Sequence, residues 1–219
     1  MAMRQAETPR APVPDKVPRA ERTRPPSTGP SGTEPAGSGA PAPSGPAPQG
    51  GAASAPIGPE VPGRAVRLAV VLVAPEIPPN TGNVSRTCVV TGSELHLVRP
   101  LGFSLADRYL RRAGLDYWPA LALRVHDSWP DARRVLAPRP VWLFTGQGGR
   151  PHTAVPFRGD DALVFGCESA GLPPDILAAF PERWVRLPML PGWRSLNLSN
   201  AVAVAVYEAL RQHGFPGMR

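Results

Sequence analysis

Short, fully apolar runs recur along most of the chain and are separated by polar stretches of helical spacing. Residues 66–73 (VRLAVVLV) form a continuous β-branched run, the pattern of a strand covered on both faces. Shorter runs at 95–98 (LHLV), 121–125, 141–145 (VWLFT), 162–165 (ALVF) and 184–187 predict further strands. Helical patterns fall between them: 81–90, ending at Gly92, a basic segment at 106–114 (ADRYLRRAG), 129–136 and 174–179. Alternating strands and helices predict an α/β fold with a largely parallel sheet and helices on both faces. The segment PEIPPNTGN after the first run carries three prolines and a glycine, so we expect it to be irregular, with Asn80 or Thr81 capping the next helix.

The last long stretch, LPMLPGWRSLNLSNAVAVAVYEALRQ (187–212), reads as a strand end, a polar loop and a helix. Its Ala-Val alternation is also compatible with a strand. The helix formers from Glu208 to Gln212, the candidate caps Ser199 and Asn200, and Gly214 as a stop favour a helix. The first turns are apolar all round, with Ala201, Ala205 and Ala209 on one face and Val202, Val206 and Leu210 on another. That predicts burial on more than one side and a partner subunit.

Composition changes this picture at one place. Residues 1–63 are rich in Pro, Ala, Gly and Ser, hold about half of the chain's 31 prolines and have almost no large apolar side chains. With no core to offset ordering entropy, they are expected to be disordered, and residues 64–219 to form one domain. No apolar h-region follows the first basic residues, and no apolar run is long enough to cross a membrane, so a cytoplasmic protein is expected. The net charge of +7 permits a polyanionic partner without requiring one. The tail, nearly balanced in charge, is expected to solubilise or to tether RNA weakly. Cys88 and Cys167 lack CxxC spacing, and we expect buried free thiols. The four histidines are scattered, so no metal site is expected.

Three loops stand at the carboxyl ends of strands: 75–83, 166–173 and 188–200, with 145–148 as a fourth contributor. Open parallel sheets bind ligands at such ends. No Gly-rich fingerprint or Walker lysine accompanies them, which disfavours dinucleotides and nucleoside triphosphates. GCESAGLP resembles a nucleophile elbow, but Cys167 stands where the first glycine belongs and only His213 follows downstream. A ligand loop with Glu168 as its ionisable group, or a turn that needs small residues, fits it better.

Taken together, PEIPPNTGNVSRTC, LVFGCESAGLP and LPMLPGWRSLNLSNAVAVAVYEAL resemble the three ordered motifs of the SPOUT class of RNA 2′-O-methyltransferases. RPLGF, LRRAGLDY and YEALRQHGFPG are similar to the branch that methylates the ribose of the wobble cytidine or uridine of tRNA. The resemblance runs from about Val66 to Gly217. It implies an α/β-knot with a C-terminal trefoil knot, and a homodimer through the helix from Ala201 to Leu210. It also implies S-adenosylmethionine held by Phe144, Thr145, Gly146, Gly166, Leu187 and Ser195, and the tRNA anticodon stem-loop as partner. Arg86 matches the family's catalytic arginine, and Asn80, Glu168, Ser195, Asn197 and Asn200 match polar site positions. A guanidinium has a pKa above about 12, so we expect Arg86 to act by charge, on a phosphate or the incipient alkoxide. Glu168 then either takes the hydroxyl proton or binds a ribose hydroxyl. Two positions depart from the branch: Gln147 stands where relatives often have a basic residue, and Trp193 where a small polar one is usual. Trp193 is either a base-stacking residue or a packing change. The competing readings are the same chemistry on ribosomal RNA and a catalytically silent RNA-binding protein.

Overall fold

The structure, a computed structural model, describes residues 66–105 and 118–219. The expected disordered tail with its boundary at residue 63, and the basic segment 106–114, lie outside the described residues. Seven strands form one sheet in the order β3-β2-β1-β6-β4-β7-β5, and every pairing in it is parallel. These strands are β1 (Ala69–Val73), β2 (Glu94–Val98), β3 (Leu123–His126), β4 (Val141–Phe144), β5 (Arg150–Pro151), β6 (Ala162–Phe165) and β7 (Trp184–Arg186). The short edge strand β5 falls on a Pro-containing pair that has no apolar run to announce it. The helices are α1 (Pro78–Thr91), α2 (Trp129–Leu136), α3 (Pro174–Ala179) and α4 (Leu198–Gln212).

The two faces of the sheet bury different helices. On one side Val70, Leu72, Leu97 and Phe165 meet Val84 and Cys88 of α1 and Val202 and Val206 of α4. On the other, Val71, Leu143 and Val164 meet Ala132 and Leu136 of α2 and Ile176 and Leu177 of α3. Successive residues of β1 thus point to opposite layers, which is why its whole sequence must be apolar. No helix among the described residues is long and apolar enough to cross a membrane.

Three sequence expectations need correction. The segment PEIPPNTGN is not irregular throughout: α1 begins at Pro78, with Ile77 as N-cap and Pro at N1 and N2. Proline suits that place because its φ is already helical and its missing N–H has no partner to lose. Asn80 and Thr81 are therefore inside the first turn and cap nothing. On α4 the cap is Asn197, whose side chain accepts from the backbone N–H of Ser199 and Asn200, so these two are the capped residues and not the cap. The third concerns the apolar face of α4. Ala205 and Ala209 are both 0% exposed, packed inside the single chain. The uncovered stripe is Val204 and Tyr207, at 42% and 45% exposure, beside Phe215. Helical spacing alone does not say which face turns inward; here the small residues do, and they let α4 lie close against the core. Gly214 does follow the helix: its N–H bonds the Arg211 carbonyl and the Phe215 N–H reaches the Leu210 carbonyl, a Schellman ending. Of the two free thiols, Cys88 is buried, and burial pushes it up, but Cys167 is only partly covered.

Two histidines that are distant in sequence meet on one face of the sheet, because β2 and β3 are neighbours in register. His96 Nδ1 lies 2.9 Å from His126 Nε2, and His96 Nε2 lies 3.2 Å from Glu94 Oε2. Glu94 also meets Arg67 at 2.9 Å and Arg139 at 2.8 Å. Burial pushes the Glu94 carboxyl up, but the His96 hydrogen bond and the Arg139 and Arg67 guanidiniums outweigh it and hold it at about 2. With Glu94 ionised and both rings neutral, His96 donates to Glu94 through Nε2 and accepts from His126 Nε2–H. Burial, then His96 and Arg124, lower His126 to about 4, and burial lowers His96 as well.

A histidine depressed in the folded state leaves the unfolded chain with the stronger proton affinity. Its stabilisation is complete above the unfolded value of 6.5 and is lost as pH falls through about 4. The thermal midpoint should therefore be level above about pH 7 and decline between about pH 6.5 and pH 4. His126→Gln, which keeps an N–H donor for His96, should show a shallower decline. A wild-type midpoint that is level across this window contradicts the assignment.

Candidate active site

The loops after β1 and β6 and the loop before α4 converge through side-chain hydrogen bonds. The Glu168 carboxylate accepts from the backbone N–H of Glu76 at 2.8 Å and of Ile77 at 3.3 Å, and from Asn80 Nδ2 at 2.9 Å. These contacts settle the amino terminus of α1. Pro78 and Pro79 have no N–H, the Asn80 N–H bonds the Ile77 carbonyl, and the remaining donors go to Glu168. A carboxylate at this end also complements the helix dipole. In return Glu76 accepts from the Ser169 N–H at 3.0 Å and the Ser169 hydroxyl at 2.7 Å. The relay continues from Asn197 Nδ2 to Asn80 Oδ1 at 2.9 Å, while Asn197 Oδ1 caps α4. Sequence reasoning singled out Glu168, Asn80 and Asn197, but it missed Glu76 and Ser169. The available signal was an acid two residues before a Pro-Pro helix start.

Arg86 does not join this relay. It lies six residues beyond Asn80 and roughly 120° round the helix. It is exposed on the side of α1 that also carries Asn83 and Val90.

The six residues expected to hold the cofactor gather at the carboxyl ends of adjacent strands. Phe144 ends β4 and stacks on Phe165 at the end of β6, ring centroids 4.6 Å apart. The Thr145 N–H donates to the Val185 carbonyl at 2.9 Å, joining the ends of β4 and β7, and half-buried Leu187 follows β7. A Cβ added to Gly146 would meet nothing nearer than the Arg194 carbonyl at 3.9 Å. The loop after β4 therefore lies within contact distance of the loop that holds exposed Ser195. An apolar floor with a rim of backbone suits an adenine and its ribose, and these residues fit S-adenosylmethionine. Gly166 has a different reason to be small. A Cβ there would lie 1.9 Å from the Gly171 carbonyl carbon, because Cys167 and Gly171 exchange two backbone hydrogen bonds across the turn. A cavity of about 320 Å³ lined by Trp142, Arg150, Asp161 and Arg183 lies at the opposite ends of the strands, away from these loops.

Three loops at the carboxyl edge of a parallel sheet are thus tied into one unit, at the place where such sheets bind ligands. The SpoU rRNA Methylase family matches residues 67–207, and the chain belongs to that family. Within it, a tRNA (cytidine(34)-2′-O)-methyltransferase from Methylovorus glucosotrophus (strain SIP3-4) is 52% identical over 149 residues, covering 68% of this chain and 97% of the relative. A solved structure concerned with 2-OH methylation of C/U34 on tRNA aligns with a TM-score of 0.66 and 47% identity, over 69% of this chain and 99% of that one. The SpoU methyltransferase AviRb from Streptomyces viridochromogenes, in complex with the cofactor AdoMet, aligns with a TM-score of 0.59 and 26% identity, over 69% of this chain and 62% of that one.

If Glu168 is the cap of α1, its removal should be felt without any ligand. Glu168→Ala is expected to lower the unfolding free energy in urea by about 1–2 kcal/mol, the size of a lost helix cap. An unchanged midpoint contradicts the capping role.

Proposed function

We propose that this chain transfers a methyl group from S-adenosylmethionine to the ribose 2′-oxygen of the wobble nucleotide, cytidine or uridine 34, of tRNA. The observation that carries the reading is the joint one. Similarity runs over nearly the whole length of a relative with that activity, and the three loop segments it includes are bonded to one another through Glu168, Asn80 and Asn197.

When bound, S-adenosylmethionine supplies an electrophilic methyl group. The chain's residues must hold the acceptor ribose in line with it, receive the hydroxyl proton and stabilise the developing alkoxide. Phe144 and Leu187 provide an apolar floor for the cofactor, and Thr145, Gly146, Gly166 and Ser195 its rim. Arg86 acts through its positive charge on phosphate or alkoxide, since a guanidinium does not give up its proton. Asn197 Oδ1 already accepts from Ser199 N, Ser199 Oγ and Asn200 N, and both ends of the Asn80 amide are bonded. We therefore give these two asparagines positioning roles. Glu168 accepts three hydrogen bonds, and a carboxylate has about four acceptor sites, so one remains for a ribose hydroxyl, either to bind it or to take the proton that the methyl group replaces.

The same reading includes a homodimer and a knot. The uncovered apolar side chains Val204 and Tyr207 on α4, Phe215 just beyond it and Val90 on α1 are the face we assign to the second copy. Because Tyr207 is already solvent-exposed in one chain, Tyr207→Glu should yield folded monomers by sedimentation, and an unchanged dimer contradicts this face. The knot is supported by the path of the chain, which leaves β7 beyond β4 and returns to pack α4 against α1 and β6. An experimental density trace that can be pulled free without threading overturns it.

The activity is tested by incubating the protein and labelled S-adenosylmethionine with tRNA and mapping the methyl group. Label on the 2′-oxygen of nucleotide 34 is expected, and label elsewhere or none overturns the reading. Arg86→Ala should keep cofactor affinity by calorimetry within about threefold, because a change away from the cofactor is nearly neutral. It should slow single-turnover transfer about 100-fold or more, since one positioned electrostatic group commonly contributes about 2.7–4 kcal/mol. Transfer at the wild-type rate makes Arg86 a surface residue.

A further inference from the structure

The loop between β7 and α4 is exposed along residues 188–197, yet it carries large apolar side chains. Trp193 is 76% exposed. It makes no ring contact or hydrogen bond among the described residues, whereas Trp129, Trp142 and Trp184 pack against the core. Within one chain the packing explanation for Trp193 therefore has no support. The local backbone presents the indole outward: Pro191 and Gly192 form a turn, and Gly192, at φ 90°, has the positive angle that a type II turn requires just before its last residue. Both ends of the loop are fixed. Arg186 closes β7, and the Asn197 side chain is bonded to Asn80 in the relay. Four residues of chain reach at most about 14 Å, so Trp193 stays within that distance of the relay at Asn197.

The charge around the indole indicates what covers it. Arg186 and Arg194 are exposed on either side, and the sequence has no carboxylate side chain between Glu182 and Glu208. An aromatic face on a loop whose own residues include guanidinium groups and no acid matches the chemistry of single-stranded RNA, where unstacked bases lie on aromatic rings and phosphates meet arginines. We propose that Trp193 is a specificity-determining residue that stacks on an unpaired base next to the target nucleotide, with Arg194 on the adjoining phosphate. This rests on the anticodon-loop substrate proposed above and goes beyond it by naming the group that reads the flanking base.

The test compares the full-length wild-type, Trp193→Ala and Trp193→Phe proteins on an anticodon stem-loop RNA and on versions that are abasic at single positions flanking the target. Trp193→Ala is expected to weaken RNA binding roughly tenfold or more, the usual loss for one stacked base, and Trp193→Phe to recover most of it. One abasic position should weaken wild-type binding by a similar factor and leave Trp193→Ala binding unchanged. S-adenosylmethionine affinity and sedimentation should not move. Unaltered RNA binding by Trp193→Ala, or losses that multiply with every abasic position, overturn the proposal. A Trp193→Ala protein that sediments as monomers places the indole at a subunit contact, and a loss confined to cofactor affinity places it over the cofactor. Either result also overturns base stacking. Binding is read apart from transfer, so absence of methylation by the wild type would overturn the activity while the binding comparison still decides Trp193.

Discussion

The Glu168 carboxylate, set against the amino end of α1, is the interaction on which the arrangement of the site depends. The first two residues of that helix are prolines, so few amide donors need partners there, and Glu168 meets Glu76 N–H, Ile77 N–H and the Asn80 amide. Because Glu168 belongs to the turn after β6, this contact fixes the second loop to the first. Asn80 then holds Asn197, and Asn197 holds the first turn of α4. Three segments far apart in sequence thus share one bonded unit. Asn80 at its centre is buried, so a shift of either neighbouring loop would leave a shielded amide group unpaired, which costs more than a made hydrogen bond contributes and favours both of its contacts forming together.

This division of labour bears on the chemistry. The polar residues nearest the relay are already occupied in shaping the loops, so the two asparagines have little capacity left for substrate. Arg86, with its charge on an exposed side of α1, stands outside that unit and belongs to a different part of the proposed reaction. The residues proposed for the cofactor rim adjoin the relay in the chain, Gly166 two residues before Glu168 and Ser195 two before Asn197. Small residues there serve two purposes: Gly146 lets its loop lie beside the Arg194 carbonyl, whereas Gly166 makes room for its own turn.

Much of the fold was legible because strands buried on both faces leave a signature that a single sequence carries. The runs at β1, β4 and β6 and the helices α2 and α3 fall where the apolar pattern puts them, within a residue or a few. The amino terminus of α1 was not legible, since its capping group lies 91 residues away in the chain and no local spacing records it. Asn197 was passed over as a cap for Ser199 and Asn200, which lie nearer the apolar run and have the same short polar side chains. Which apolar face of α4 turns inward was not legible, because helical periodicity gives the angle between residues and not which side meets the sheet. The contact of His96 with His126 required knowing that β2 and β3 are neighbours. Of the site, the residue types were legible through resemblance, but their mutual bonding, with Glu76 and Ser169 as reciprocal partners, came only with the structure.

The central claim is that Asn80 and Asn197 act as one device joining the first and third loops. A double-mutant cycle on unfolding free energy tests it most directly, using wild type, Asn80→Ala, Asn197→Ala and the double variant. Coupled residues should give an interaction energy of about 0.5–3 kcal/mol, with the double variant losing less than the two single losses summed. Losses that add to within about 0.3 kcal/mol would mean that the loops are held independently, and would contradict the account.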